Sequence, residues 1–201
     1  MARIPPVEAH DDPEIADMIA YWTRTKGYAP NAWQTMLRRP KMFLAYRNLH
    51  KAVMMDESEV PKALKFMIAT VVSDAAGDAY CTAHNAENAA HIGGVPTDKV
   101  AALSRFASSP LFTPAEKAAL ALADAAGRDP LAVTDAHFTA LKAYFSDDAI
   151  AEIVGVLALL GWLNRWNQTL ATTLEPKSAA FAEEHLAAGG WTAGIAGSRM
   201  P

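Results

Sequence analysis

Cysteine is almost missing from this chain: among 201 residues Cys81 is the single thiol. One cysteine cannot close a disulfide within a subunit, so a redox cycle that alternates two thiols of one chain is excluded. Basic clusters are equally scarce. The formal net charge is −4, and the densest basic stretch, Arg38-Arg39-Pro40-Lys41, is short and broken by proline, which excludes nucleic acid as an expected partner. No apolar run approaches the roughly 18 residues of a membrane span. The longest, 153–163, follows Asp147, Asp148 and Glu152 and reads as a buried core helix. Residues 1–6 carry no apolar core of an export signal, and the expected compartment is the cytoplasm, away from any membrane. Repeats and low-complexity tracts are absent. Polar/apolar alternation of the kind that marks strands is also absent.

What fills the chain is helix-forming residues: Ala, Leu, Met, Glu and Lys dominate segments with three-four apolar spacing, which predicts an all-α protein. At 51% hydrophobic and 20% charged, 201 residues suffice for one substantial core. Asp12-Pro13-Glu14 supplies a cap and a proline at a first helical position, opening a short helix toward Trp22. A longer helix is expected over about 32–55, re-started at Pro40. The next begins after Pro61, with Leu64, Met67, Ile68, Val71 and Val72 on its core face, and ends at Gly77-Asp78. A helix bearing Cys81 runs to about Ile92 and closes at Gly93-Gly94. Thr113-Pro114-Ala115-Glu116 is a capping box, Thr134 starts a further helix, and the most apolar helix runs from about 146 to 173 and should lie centrally. A last helix covers about 178–188. We take 1–188 as one domain and 189–201, rich in glycine, as a flexible or partner-held tail.

The chemistry concentrates in Ala79-Tyr80-Cys81-Thr82-Ala83-His84 and the turns after it. Positions three and four apart share a helix face, so Cys81, His84, Asn88 and His91 form one polar stripe, opposite Ala83, Ala86 and Ala90. A helix N-terminus and an imidazole both favour thiolate, whereas Asp78, one turn earlier, opposes it. The competing reading is a buried thiol that behaves as a small hydrophobe. His84 is a candidate for proton transfer; His91, next to Gly93-Gly94, equally suits the negative end of the helix dipole. Cys81, His84 and His91 lack a fourth metal ligand and span a long reach along the helix, so no metal is expected, and no cofactor motif appears. Asn164, Arg165 and Asn167 interrupt the most apolar helix. Arg165 suits either an anionic substrate or an ion pair with Glu152, Glu175 or a neighbouring subunit. Trp162 and Trp166 belong to packing, and their spacing also lets them wall an apolar pocket.

Three segments resemble the carboxymuconolactone decarboxylase and alkylhydroperoxidase D superfamily. They are Met67-Ile68-Ala69-Thr70-Val71-Val72-Ser73 leading to Tyr80-Cys81-Thr82-Ala83-His84; Phe112-Thr113-Pro114-Ala115-Glu116-Lys117-Ala118-Ala119-Leu120-Ala121-Leu122-Ala123; and Gly161-Trp162-Leu163-Asn164-Arg165-Trp166-Asn167. The resemblance covers about 64–174 and implies an all-helical fold with long central helices packed as a bundle. In the redox members two cysteines at CxxC reduce a hydroperoxide. Here Cys81 falls on the second position and Asp78 on the first; the upstream glutamate falls near Lys65 or Phe66, and the downstream histidine on Asn85, beside His84.

The resemblance implies a one-cysteine, alkylhydroperoxidase-like thiol antioxidant enzyme: Cys81 attacks a small-molecule hydroperoxide, His84 assists proton transfer, and an external thiol reductant completes the cycle. Asp78, Tyr80, Asn85, Asn88, His91, Asn164 and Arg165 are its candidate relay or pocket residues. Two alternatives stand beside it: a cofactor-free acid/base decarboxylase of a small organic acid, and a non-catalytic helical assembly that has lost the chemistry. A homo-oligomer, as dimer, trimer or hexamer, is expected from the surplus of apolar helix surface.

Overall fold

In a computed structural model describing residues 2–194, ten α-helices and short 3₁₀ or π turns make up the regular structure, with no strand among the described residues. Helix α1 (Pro13–Lys26) starts where Asp12 accepts from the Glu14 N–H and stops at Gly27, whose φ of 91° suits glycine. The expected long helix over 32–55 is three pieces. They are α2 (Asn31–Met36), α3 (Pro40–His50) and a π turn (Lys51–Met55) continuing α3. Pro40 sits in the first turn of α3, the one place where a missing N–H costs nothing.

Helix α4 (Lys62–Ala75) is the centre of the body, with ten consecutive residues, Leu64 to Ser73, buried. Helices α5 (Ala79–His91), α7 (Pro114–Arg128) and α9 (Asp147–Leu170) pack around it, and α6 (Thr97–Ala101) and α8 (Asp135–Lys142) close the ends. Fully burying a side chain such as Met67 or Ile68 contributes about 1.5–3 kcal/mol. The α4–α7 contact is close because Gly127 lets the backbones meet; a Cβ there would lie 2.5 Å from the Val72 carbonyl oxygen. The capping box at Thr113 and Glu116 forms as the sequence predicts.

Two expectations need correction. Helix α9 is long and apolar enough in composition to cross a membrane, yet nine of its residues are buried in the body. It is not enclosed all round: Val154 and Trp162 are exposed on its outer side. The chain also stays packed past residue 188. Trp191 is buried, and its indole N–H donates to the Ala79 carbonyl at 3.3 Å after α10 (Pro176–His185) has turned back over α5. The remainder of the expected tail, 195–201, lies outside the described residues.

Candidate active site

Helix α5 positions the thiol. Asp78 caps it, its Oδ1 accepting from the N–H groups of Tyr80 at 3.0 Å and Cys81 at 3.2 Å, which fixes the carboxylate beside the side chain of Cys81. Cys81 is 4% exposed. From α9, Asn167 Nδ2 donates to Sγ at 3.2 Å, so the polar break in that apolar helix serves the thiol. Burial, then the neighbouring negative charge of Asp78, push the thiol pKa well above its ordinary range, and the Asn167 donor works against both. Burial likewise raises the Asp78 carboxyl to about 6, despite the N–H groups that favour its ionised form. A protonated thiol therefore lies against a base that titrates near neutrality.

Cys81 opens onto a cavity of about 200 Å³ between α1, α2, α3, α4, α5 and α9. Trp22, Trp33, Tyr46, Phe66 and Tyr80 give it flat apolar walls, and His84, Asn85 and Asn88 carry the polar face of α5 into it. Its size and lining suit a single aromatic ring. Half-buried His50 also faces it. Burial, then the cations Arg47 and Lys26, lower its pKa to about 4, and its imidazole is neutral.

His84 does not pair with the thiol. Its Nε2 lies 2.6 Å from Glu175 Oε2 and its Nδ1 3.4 Å from Ser178 Oγ, both contributed by the start of α10. Glu175 Oε1 also accepts from the Tyr80 hydroxyl at 3.0 Å, and that hydroxyl accepts from the Ala32 N–H at 3.2 Å. Burial works to raise the Glu175 pKa, but the adjacent His84 and the Asn31 N–H outweigh it and hold the carboxyl below its usual range. Glu87 behaves in the same way. Burial opposes its charge, and Ser178, Lys26 and His84 prevail. Ser178 donates to Glu87 and contacts Tyr28 Oη at 2.7 Å, which completes a buried network behind the polar wall.

The structure thus brings Asp78, Tyr80, Cys81, His84, Asn85 and Asn88 together and leaves three predicted residues outside. The side chain of His91 is 58% exposed, 3.9 Å from Glu87 and edge-on to Phe181. Asn164 is buried against Ser73, accepting from its hydroxyl at 3.0 Å, away from the cavity. Arg165 is exposed and makes no ion pair among the described residues, because Glu152 lies 3.8 Å from Lys65 and Glu175 pairs with His84. Trp162 stacks on Tyr46 and Trp166 outside the pocket. Glu175, Ser178, Glu87 and Tyr28 were not singled out from the sequence as site residues. Glu175 lies 91 residues from His84, and no local spacing signals that pair.

The model of the carboxymuconolactone decarboxylase family matches residues 40–125, which include α3, α4, α5 and Cys81. The debrominase Bmp8, solved both apo and as a cysteine-to-alanine variant in complex with 2,3,4-tribromopyrrole, is similar over 90% of this chain and 96% of its own. The TM-score is 0.81 and the identity 32%. A peroxidase-related protein from Ralstonia eutropha JMP134 with an alkylhydroperoxidase AhpD core shares the fold at TM-score 0.77 and 23% identity, over 90% of this chain and 95% of that one. The uncharacterised protein YnjA of Escherichia coli strain K12 is 35% identical over 74 residues, which is 37% of this chain and 41% of YnjA. With its all-helical alkylhydroperoxidase D-like fold, the chain belongs to the carboxymuconolactone decarboxylase family.

Proposed function

We propose that the chain is a single-cysteine, thiol-dependent reductase of small halogenated aromatic rings, removing halogen as halide. The observation that carries this reading is Cys81 at the edge of a ring-sized, aromatic-walled cavity, flanked by a base and a hydrogen-bond donor to sulfur. The likeness to Bmp8 supports it: a cysteine-to-alanine variant of that debrominase holds a brominated pyrrole, and this chain has one cysteine to offer.

Electron-rich rings accept a proton on a halogen-bearing carbon, and the His84–Glu175–Tyr80 network holds exchangeable protons on the cavity wall. Asp78 takes the proton of Cys81, and Asn167 stabilises the thiolate. The thiolate attacks the halogen, the sulfur–halogen bond forms, and the carbon–halogen electron pair returns to the ring, leaving C–H in place of C–X. An external thiol then displaces halide to give a mixed disulfide and a proton. A second thiol releases Cys81 and leaves as the symmetrical disulfide. The same sulfur could spend its two electrons on a hydroperoxide, the activity implied by the sequence resemblance, and the cavity's flat walls favour the ring.

Incubation with 2,3,4-tribromopyrrole and excess dithiothreitol tests the proposal. Bromide release that disappears in Cys81→Ser supports it. Reduction of cumene hydroperoxide without any bromide release would transfer the thiol to the hydroperoxide reading. Neither activity, in a folded protein, would favour the acid/base or non-catalytic alternatives.

A further inference from the structure

The cavity at Cys81 carries a charge imbalance that thiol chemistry does not use. Lys26, Arg47 and Lys51 line it, and among the described residues neither an aspartate nor a glutamate does, although the whole chain carries a net charge of −4. Two of the three cations are engaged. Lys51 Nζ lies 2.7 Å from Asp56, and Lys26 Nζ donates to Asn88 at 3.1 Å with Glu87 at 3.9 Å. Arg47 is different: half-buried in the last turn of α3, its guanidinium makes neither a hydrogen bond nor an ion pair among the described residues. Its field reaches into the cavity, since Arg47 and Lys26 both work against protonation of His50. An arginine at the cavity wall whose guanidinium has no anion keeps five directional donors open, a geometry matched to a carboxylate.

We propose that Arg47 is an anion-recognition residue and that the ring admitted to the cavity bears a carboxylate, making the ligand class a halogenated aromatic acid. The inference rests on the reading of the cavity as an aromatic-ring site and narrows its substrate. The carboxylate docks at the α3 end, against Arg47 with His50 beside it, and the opposite edge of the ring points toward Cys81. This orientation uses the charge at one end and the thiol at the other.

The test separates binding from turnover. Cys81→Ala protein, which cannot consume a ligand, is titrated calorimetrically with 4,5-dibromopyrrole-2-carboxylate and with the isosteric neutral carboxamide. The acid should bind about tenfold more tightly than the amide, as one charge-assisted pairing provides. Arg47→Met in the same background should bring the acid's affinity down to the amide's, and Arg47→Lys should keep part of the preference. Proton NMR should show the His50 pKa rising from about 4 when the acid binds and staying in place with the amide. Equal affinity for acid and amide, failure of both to bind, or a preference untouched by Arg47→Met would overturn the proposal. If Arg47→Met does not fold, the acid-to-amide ratio and the His50 shift decide the matter. Bromide release by wild type from the amide and acid alike, without an affinity difference, removes the anion site and leaves the thiol reaction standing. Tight, Arg47-dependent binding of the acid with no bromide release supports the anion site and removes the dehalogenation.

Discussion

Replacing Asp78 by asparagine removes a charge and keeps the cap, because asparagine accepts hydrogen bonds at a helix N-terminus about as well as aspartate. Burial raises the wild-type carboxyl from 3.8 to about 6, which corresponds to about 3 kcal/mol. The sign follows from proton counting. Between pH 4 and pH 6 the folded state binds more protons than the unfolded state, so this group costs stability as pH rises and exerts its full penalty above pH 6. A neutral amide at this position would carry no such penalty. Asp78→Asn should therefore be more stable than wild type at pH 7, and its advantage should shrink by about 2 kcal/mol when both are measured at pH 4. The thiol responds as well. With the negative charge gone the Cys81 pKa falls, and iodoacetamide alkylation at pH 8 accelerates, even as turnover drops for want of a base. Urea denaturation at the two pH values and alkylation followed by mass spectrometry read both effects. A stability difference that does not vary with pH, or slower alkylation in the variant, would refute the placement of an ionised Asp78 against the thiol.

His84→Ala should leave the pH profile of Cys81 alkylation close to wild type while lowering stability by about 3–5 kcal/mol, since Glu175 loses its buried partner; denaturant midpoints and alkylation curves measure the two separately. Asn167→Ala should slow Cys81 alkylation near neutral pH by about fivefold to tenfold, the worth of one hydrogen bond of about 1 kcal/mol, and an unchanged rate would remove Asn167 from the site. The exposed side of α9, with Val154 and Trp162, is expected to be covered by a second copy of the chain. Light scattering should show more than the 21.6 kDa species, and Val154→Glu should dissociate it.

The sequence carries the helices well because their ends are written locally. Asp12, Asp78, Thr113 and Ser146 each cap the helix that follows through their own side chains. Placing Cys81, Asp78 and the polar stripe along one face needs only the period of α5. The stripe stops short of His91 because the cavity ends near Asn88 and Ile92, while His91 turns toward Phe181 and Glu87. The partner of His84 was not legible. Shared helical face allowed a thiol contact, but Glu175 from α10 offers a charged acceptor at 2.6 Å, against which a neutral thiol cannot compete. Asn167 was visible as a polar break in an apolar helix, and only the packing of α9 on α5 assigns it to sulfur. The cavity's walls come from α1, α2, α3, α4, α5 and α9, and such convergence leaves no trace in any single window of residues.

The central claim is that Cys81 supplies the two electrons that reduce the ring. Stoichiometry without added thiol tests it most directly: wild type mixed with excess 2,3,4-tribromopyrrole should take at most one bromine from the ring per chain, which appears as bromide when water hydrolyses the sulfur–bromine bond to a sulfenic acid, and should lose its titratable thiol in parallel. Dithiothreitol should restore turnover, and Cys81→Ser should release none. Continued bromide release without thiol, or release by folded Cys81→Ser, would contradict the account.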